Sequence, residues 1–295
     1  MYHNNEDLTK PPLTHPNWYA SLELAFAKTA KGTRLCKNLH QGPLMVQKPF
    51  YPESSTVCHV YLLHPPGGVV QGDQLKLDVR VKSAAHALIT TPAAGKFYRS
   101  NGKVAALSQV LEVEDAAQLE WLPQETLLFN ASRVQLKTLV KLSGTARFIG
   151  WEMLCLGRKA SDEPYTSGTC RQQFEIWRDN KPVFIERCLI AGDSALLTEK
   201  WGMDKWPLTA TLIATNCGKA ELKSVQELLS QLTENNSHTI SIKGHLSVSL
   251  KQDILICRFL GEQAEHARHC FIEIWKLIRP VIMQQSVHIP RIWNT

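Results

Sequence analysis

Several common signatures are missing from this 295-residue chain. There is no G-x-x-x-x-G-K-[ST] loop: Cys217-Gly218-Lys219-Ala220 has a Gly-Lys pair but no glycine at the upstream offset and no hydroxyl after it. Phosphate cradling by a P-loop is therefore excluded. Neither a G-x-S-x-G elbow nor H-E-x-x-H occurs. The common nucleotide-driven and hydrolytic classes usually show one of these, so their absence weakens an enzymatic reading. An active site without a local motif stays open. The eight cysteines contain no C-x-x-C pair, which argues against a zinc ribbon or a thioredoxin-type site and for free thiols packed as small hydrophobes. No apolar run reaches the ~18 residues of a membrane span. The start, Met1 to Pro16, carries Glu6, Asp7 and three prolines where a secretory signal would have a basic start and an apolar block. We therefore expect a cytoplasmic protein with a mobile polar leader over 1–16 and a single domain over 17–295. Lys and Arg exceed Asp and Glu by 33 to 27, and the basic residues are spread out. Charge alone argues neither for nor against nucleic acid.

What is present is period-two alternation. Leu75, Leu77, Val79 and Val81 alternate with Lys76, Asp78, Arg80 and Lys82. Val134, Leu136, Thr138, Val140 and Leu142 repeat the pattern, as do Leu246, Val248 and Leu250. Each predicts a strand with one buried and one wet face, read here as antiparallel. Hairpins are expected at Asp179-Asn180 and at Lys251-Gln252-Asp253. Two segments have helical spacing instead: Leu222 to Leu232, and Ala264 to Ile278, the latter expected to end at Arg279-Pro280. Few helices among many strands argue against a doubly wound nucleotide fold. The expected class is mainly β: many short antiparallel strands in a wound or sandwich-like layered sheet with about two helices, the longer near the C-terminus.

Six stretches carry candidate chemistry. His64-Pro65-Pro66-Gly67-Gly68 through Gly72-Asp73 either holds His64 and Asp73 at a site or is a tight connection. Thr90 to Arg99 offers Lys96, Tyr98 and Arg99 to a partner, or is a surface strand with snorkelling cations. In Leu119 to Thr126, Glu120 and Glu125 flank Trp121 and Pro123, as unusual acids or oxygen ligands, or as solvated glutamates beside a partly buried Trp. In Gly150 to Arg158, Glu152 sits inside an apolar run. A carboxylate there is costly unless paired, with Arg158 or Arg187 as candidates, or unless it lines a wet internal passage. Glu175 and Glu186 pose the same question on the expected hairpin. His266, His269 and Cys270 share part of one helix and form at most an incomplete metal site. The final Arg291-Ile292-Trp293 either tucks against its own sheet or docks on another protein.

Taken in order, H-P-P-G-G-V-V-x-G-D, T-T-P-A-A-x-K-F-Y-R-S, L-E-W-L-P-Q-E-T, G-W-E-x-x-C-L-G-R, Ile185-Glu186-Arg187 and the closing P-R-I-W-x-T resemble the UreD (UreH) family of urease accessory proteins. The likeness runs from about Trp18 to Thr295. It departs from the family pattern at Met283-Gln284, where a glycine is usual, and at the His266/His269/Cys270 cluster. The resemblance implies a non-catalytic, mainly β maturation factor. Its partners would be UreF, the GTPase UreG and apo-urease, in a heteromeric complex without nucleic acid or membrane. It would bind no cofactor tightly and would pass nickel in transit through a polar internal tunnel. On that reading the transit candidates are Glu125, Glu152, Glu175, Glu186, His64 and Asp73. The partner-binding candidates are Lys96, Tyr98, Arg99, Arg291, Ile292 and Trp293. The alternative is a docking module that assembles urease without touching metal.

Overall fold

A computed structural model describes residues 18–234 and 242–294, so the leader expected over 1–16 lies outside the described residues. In chain order the first strands are β1 (Tyr19–Thr29), β2 (Gly32–Gln41), β3 (Met45–Phe50), β4 (Val57–Leu63), β5 (Gln74–Val81) and β6 (His86–Thr90). Next come β7 (Gly95–Phe97), β8 (Ala105–Val113), β9 (Gln118–Leu122), β10 (Thr126–Leu128), β11 (Arg133–Leu142) and β12 (Arg147–Arg158). The last are β13 (Glu163–Pro164), β14 (Thr169–Arg178), β15 (Lys181–Ala191), β16 (Leu208–Ala214), β17 (Gly244–Lys251) and β18 (Ile254–Gly261). The helices are α1 (Ala195–Thr198), α2 (Lys219–Glu234) and α3 (Ala264–Ile282). The mainly β reading holds, with the longest helix near the C-terminus.

The strands form two layered sheets. The first has the order β15-β14-β11-β8-β5-β1-β2, and the second runs β17-β18-β16-β12-β9-β6-β4-β3. From β4 to β14 the chain shuttles between them, so strands of one sheet stack in a solenoid-like winding. Consecutive members β4, β6, β9 and β12 are therefore parallel, as are β5, β8, β11 and β14. This corrects the antiparallel sense expected for Leu75–Val81 and Val134–Leu142. Alternation reports one wet face; strand sense follows from where the chain travels in between. Antiparallel pairing holds at both ends, including the two expected hairpins β14–β15 and β17–β18. Asp179 and Asn180 turn the first with φ of 48° and 61°, as a tight two-residue hairpin requires.

Two apolar cores result. One lies between the sheets and includes Leu22, Phe26, Leu77, Ile89, Phe148 and Phe174. The other lies between the second sheet and the helices, and joins Leu88, Ile149, Trp151 and Leu212 to Phe271, Ile274, Trp275 and Ile278. Central strands of the second sheet are buried on both faces: all five residues of β6 are buried. Their continuous apolar sequence is the consequence.

A buried ionic cluster fastens α3 to that sheet. Glu120 of β9 points to the helix side. It accepts hydrogen bonds from Trp275 Nε1 (2.6 Å) and Arg279 Nε (2.9 Å) and meets His86 Nε2 at 2.8 Å. Arg279 also reaches Glu53 at 2.7 Å, which in turn meets His59 at 2.6 Å. Burial alone would push the Glu120 carboxyl up, but the bonds and charge of His86 and Arg279 hold it down at about 2. This anchor explains why α3 does not end where the sequence predicts. Helix α3 runs past Arg279-Pro280 to Ile282, with Pro280 inside it. Interior proline costs about 3 kcal/mol. Against that stand the Arg279 pairs, the burial of Ile278 and Ile282, and a 2.8 Å bond from Met283 N to Arg279 O. The turn that follows places Gln284 at φ 54°, in the left-handed region that favours glycine.

The tail then returns to the sheet. Trp293 Nε1 donates to Thr90 Oγ1 (2.8 Å), and its ring stands 5.8 Å from Trp151 and 5.9 Å from Trp275. Arg279→Leu should cost about 3–5 kcal/mol in urea unfolding, because it strands buried carboxylates, whereas the double change with Glu120→Leu should recover much of the loss. The Glu120 pKa is depressed, so its stabilising contribution is complete above the unfolded carboxyl value of 4.5 and disappears as pH falls toward about 2. Acid unfolding curves of the wild type and Glu120→Gln should converge over that range.

Candidate functional site

A cavity of about 210 Å³ lies between the two sheets, with its mouth at the C-terminal ends of β4, β6 and β9. Three segments frame the mouth: 64–69, 91–96, which runs into β7, and 123–126, which runs into β10. The first two are bound together by Val69 N to Lys96 O (2.7 Å), Tyr98 N to Val69 O (2.9 Å) and Tyr98 Oη to Gly67 O (3.0 Å). Gly68 permits this contact, since a Cβ there would sit 2.5 Å from the Tyr98 ring. His64 lines the mouth; burial lowers its pKa despite the nearby Asp73 carboxylate, which favours the neutral imidazole.

The floor is polar. Along β12, Phe148, Leu154 and Leu156 face the space between the sheets, whereas Ile149, Trp151 and Met153 face the helices. Alternation therefore turns Glu152 into the cavity, where it accepts hydrogen bonds from Thr138 Oγ1 (2.5 Å) and Gln172 Nε2 (2.8 Å). Gln109 Nε2 donates to Thr138 Oγ1 at 3.1 Å. Neither arginine considered for Glu152 reaches it: Arg158 pairs with Glu163, and Arg187 with Glu175. Burial therefore dominates and pushes the Glu152 carboxyl up, only partly offset by its two neutral donors. Glu152 is among the residues that line the cavity.

Beyond Glu152 the polar character continues toward the edge of the sandwich. Thr211 of β16 is its register partner, and Thr211 Oγ1 donates to Glu186 Oε2 of β15 at 3.3 Å. Arg258 of β18 closes this row with an ion pair to Glu186 Oε1. Cys170 and Cys188 lie on the same inward face of β14 and β15.

The remaining candidates are placed as follows. Glu175 does not face the interior: Phe174 and Ile176 do, and Glu175 points outward into a cage of Arg187 (2.6 Å), Gln173 (2.6 Å) and Trp177 (3.0 Å). Asp73 is a fastener, its two oxygens taking the amides of Trp18 (2.9 Å) and Val70 (3.0 Å). Glu125 sits beside the mouth, 3.5 Å from Arg268. Lys96, Arg99 and Arg291 are exposed, Tyr98 packs edge-on against Phe129, and Ile292 is half-buried. Trp293 is occupied by its own sheet, the tucked alternative of the sequence reading. His266 Nδ1 accepts from Lys243 N, and burial pushes the Cys270 thiol up to about 12. Among the described residues no group of three or more His, Cys, Asp or Glu side chains is placed to hold a metal ion. No helix among them is long and apolar enough to cross a membrane.

Gln109, Gln172, Thr211 and Arg258 belong to this polar strip and are not among the residues singled out from the sequence. One signal was available: Thr138 occupies a buried-face position in an otherwise apolar alternation, and Gln172 does so between Cys170 and Phe174.

Fold and site together define a solenoid-like β sandwich enclosing a cavity with a carboxylate floor. The chain matches the family of UreD urease accessory proteins over residues 19–294. The urease accessory protein UreD of Saccharophagus degradans is 40% identical to it over 291 residues, covering 98% of this chain and 97% of the relative. The UreD of a Janthinobacterium strain is 42% identical over 279 residues, 95% and 92% of the two chains. That of an Enterobacter strain is 40% identical over 282 residues, 96% and 97%. The chain belongs to the UreD urease accessory protein family.

The raised Glu152 pKa makes its charged form a cost to the fold. The sign is opposite to that of Glu120: the cost is absent below 4.5 and grows as pH rises toward the folded value. Glu152→Gln should therefore raise the unfolding free energy at pH 7 but not at pH 4, read from urea midpoints.

Proposed function

We propose that this chain is a non-catalytic urease maturation factor of the cytoplasm, acting as scaffold and nickel conduit in a complex with UreF and the GTPase UreG that docks on apo-urease. The observation that carries the conduit reading is Glu152: a carboxylate on the floor of an internal cavity, held by neutral groups and by no cation. Nickel accepts carboxylate, imidazole, hydroxyl and amide oxygens. One carboxylate with neutral neighbours attracts a divalent ion without caging it, and sites that conduct must also release. His64 at the mouth supplies a neutral imidazole on the way in. Energy for directed transfer would come from the GTPase partner, consistent with the missing P-loop.

The docking-only reading draws on a different observation: Glu175 and Glu186 are already neutralised by Arg187 and Arg258. Glu152→Leu separates the two. On the conduit reading, urease matured with this variant at limiting nickel should lose at least roughly tenfold in activity and in nickel content, the scale on which even supporting metal ligands act. Pull-down of UreF and UreG should be unchanged. Full activation by Glu152→Leu would leave the docking platform alone.

A further inference from the structure

The row Glu152, Thr211, Glu186 ends at a residue of opposite charge. Arg258 Nη1 bridges Glu186 Oε1 and Thr211 Oγ1, the latter at 3.4 Å. Its side chain is 47% exposed, so the guanidinium lies at the boundary between the inter-sheet space and solvent. The cavity reaches Glu152 and Gln172 from the mouth and stops there. Toward the lateral edge the lining gives way to this ion pair and to the thiols of Cys170 and Cys188 on the neighbouring strands, none of which lines the cavity. The pair joins β15 of the first sheet to β18 of the second, so it also bridges the sandwich where the sheets are not otherwise continuous.

We propose that Arg258 is a gate at the lateral end of the polar strip. With its guanidinium on Glu186, the exit is closed sterically and by charge: a cation arriving at Glu152 meets a fixed positive group. When the guanidinium swings off, Glu186 becomes a second uncompensated carboxylate and the strip is continuous from the mouth to the edge. The two positions differ by one partly exposed ion pair, so the free-energy cost of opening is small, and a competing carboxylate presented at this edge would shift the balance. The inference deepens the conduit reading and rests on it for its role, but the gate itself is testable without nickel.

Cys188 and Cys170 report on access from the edge. The purified protein is treated with 2-aminoethyl methanethiosulfonate, a small cation, or with its 2-sulfonatoethyl analogue, an anion, and labelling of each cysteine is followed by peptide mass. Cys257 is the internal control, because it lies in the core on the helix side of the second sheet. Arg258→Ala should speed cationic labelling of Cys188 and Cys170 about fivefold, the population shift that losing such an ion pair allows. The anionic reagent should gain less, and Cys257 should not change. Arg258→Lys should stay near wild type. Glu186→Gln, which frees the guanidinium without removing it, should admit both reagents but lose the preference for the cation; it carries the test if the alanine variant does not fold. Unchanged rates at Cys170 and Cys188, or an equal rise at Cys257, overturn the gate. If Cys170 opens in Arg258→Ala while Glu152→Leu still activates urease, the conduit reading falls and the gate stands. If Glu152→Leu blocks activation and Cys170 does not respond, the conduit stands and the gate falls.

Discussion

The fully buried pair of Glu120 and Arg279 is the interaction on which the rest of the architecture depends. It ties α3 to the middle of the second sheet, so that this sheet is covered on both faces. A sheet with one wet face can breathe; one packed on both sides is held in register by two cores. The cavity wall formed by β4, β9 and β12 is therefore rigid, and the space behind it keeps its shape while holding a polar floor. The cluster is also self-consistent chemically. Two carboxylates, one guanidinium and two imidazoles share one buried space in which each carboxylate meets the guanidinium and an imidazole within 3 Å.

Glu152 is the opposite case in the same molecule. Both carboxylates are withdrawn from bulk water, yet one is held well below its ordinary pKa and the other is pushed above it. The difference is the company: a guanidinium and an imidazole for Glu120, a hydroxyl and an amide for Glu152. A fold that can neutralise one buried acid with arginine has left the other without a cation, at a cost in stability. Uncompensated charge of this kind is where function is expected, because structure alone gives no reason to keep it.

The same contrast shows what could be read in advance. The alternation of β5 and β11 located strands and their wet faces, and Glu152 stood out as an acid within an apolar run. Glu175 gave the same signal and faces outward, because Trp177 on the wet side breaks the apolar-polar rhythm that would have revealed its face. Strand sense was not legible, since it depends on where the chain goes between strands rather than on the strand. Nor were the partners: Glu186 finds Arg258 72 residues away, and Glu120 finds Arg279 at a separation of 159. Trp293 was open between two fates because a terminal Trp-bearing segment has equal use for its own sheet and for a neighbour; the hydroxyl of Thr90 decides it.

The groups around Glu152 have a further property that a fixed cation site would lack. Thr138 and Gln172 now act as donors, yet each carries an oxygen that can accept, and each can reverse by rotating a hydroxyl or flipping an amide. A divalent cation entering the floor would find one carboxylate and turn its neighbours from donors into ligands. No charge need move through the apolar walls to do so. When the ion leaves, the same rotations restore the hydrogen bonds to the carboxylate. A ring of arginines could not make that exchange, and a ring of carboxylates would not let the ion go. On the proposed conduit reading, the pairing of a single acid with reversible neutral groups is the arrangement that would lower the barrier in both directions.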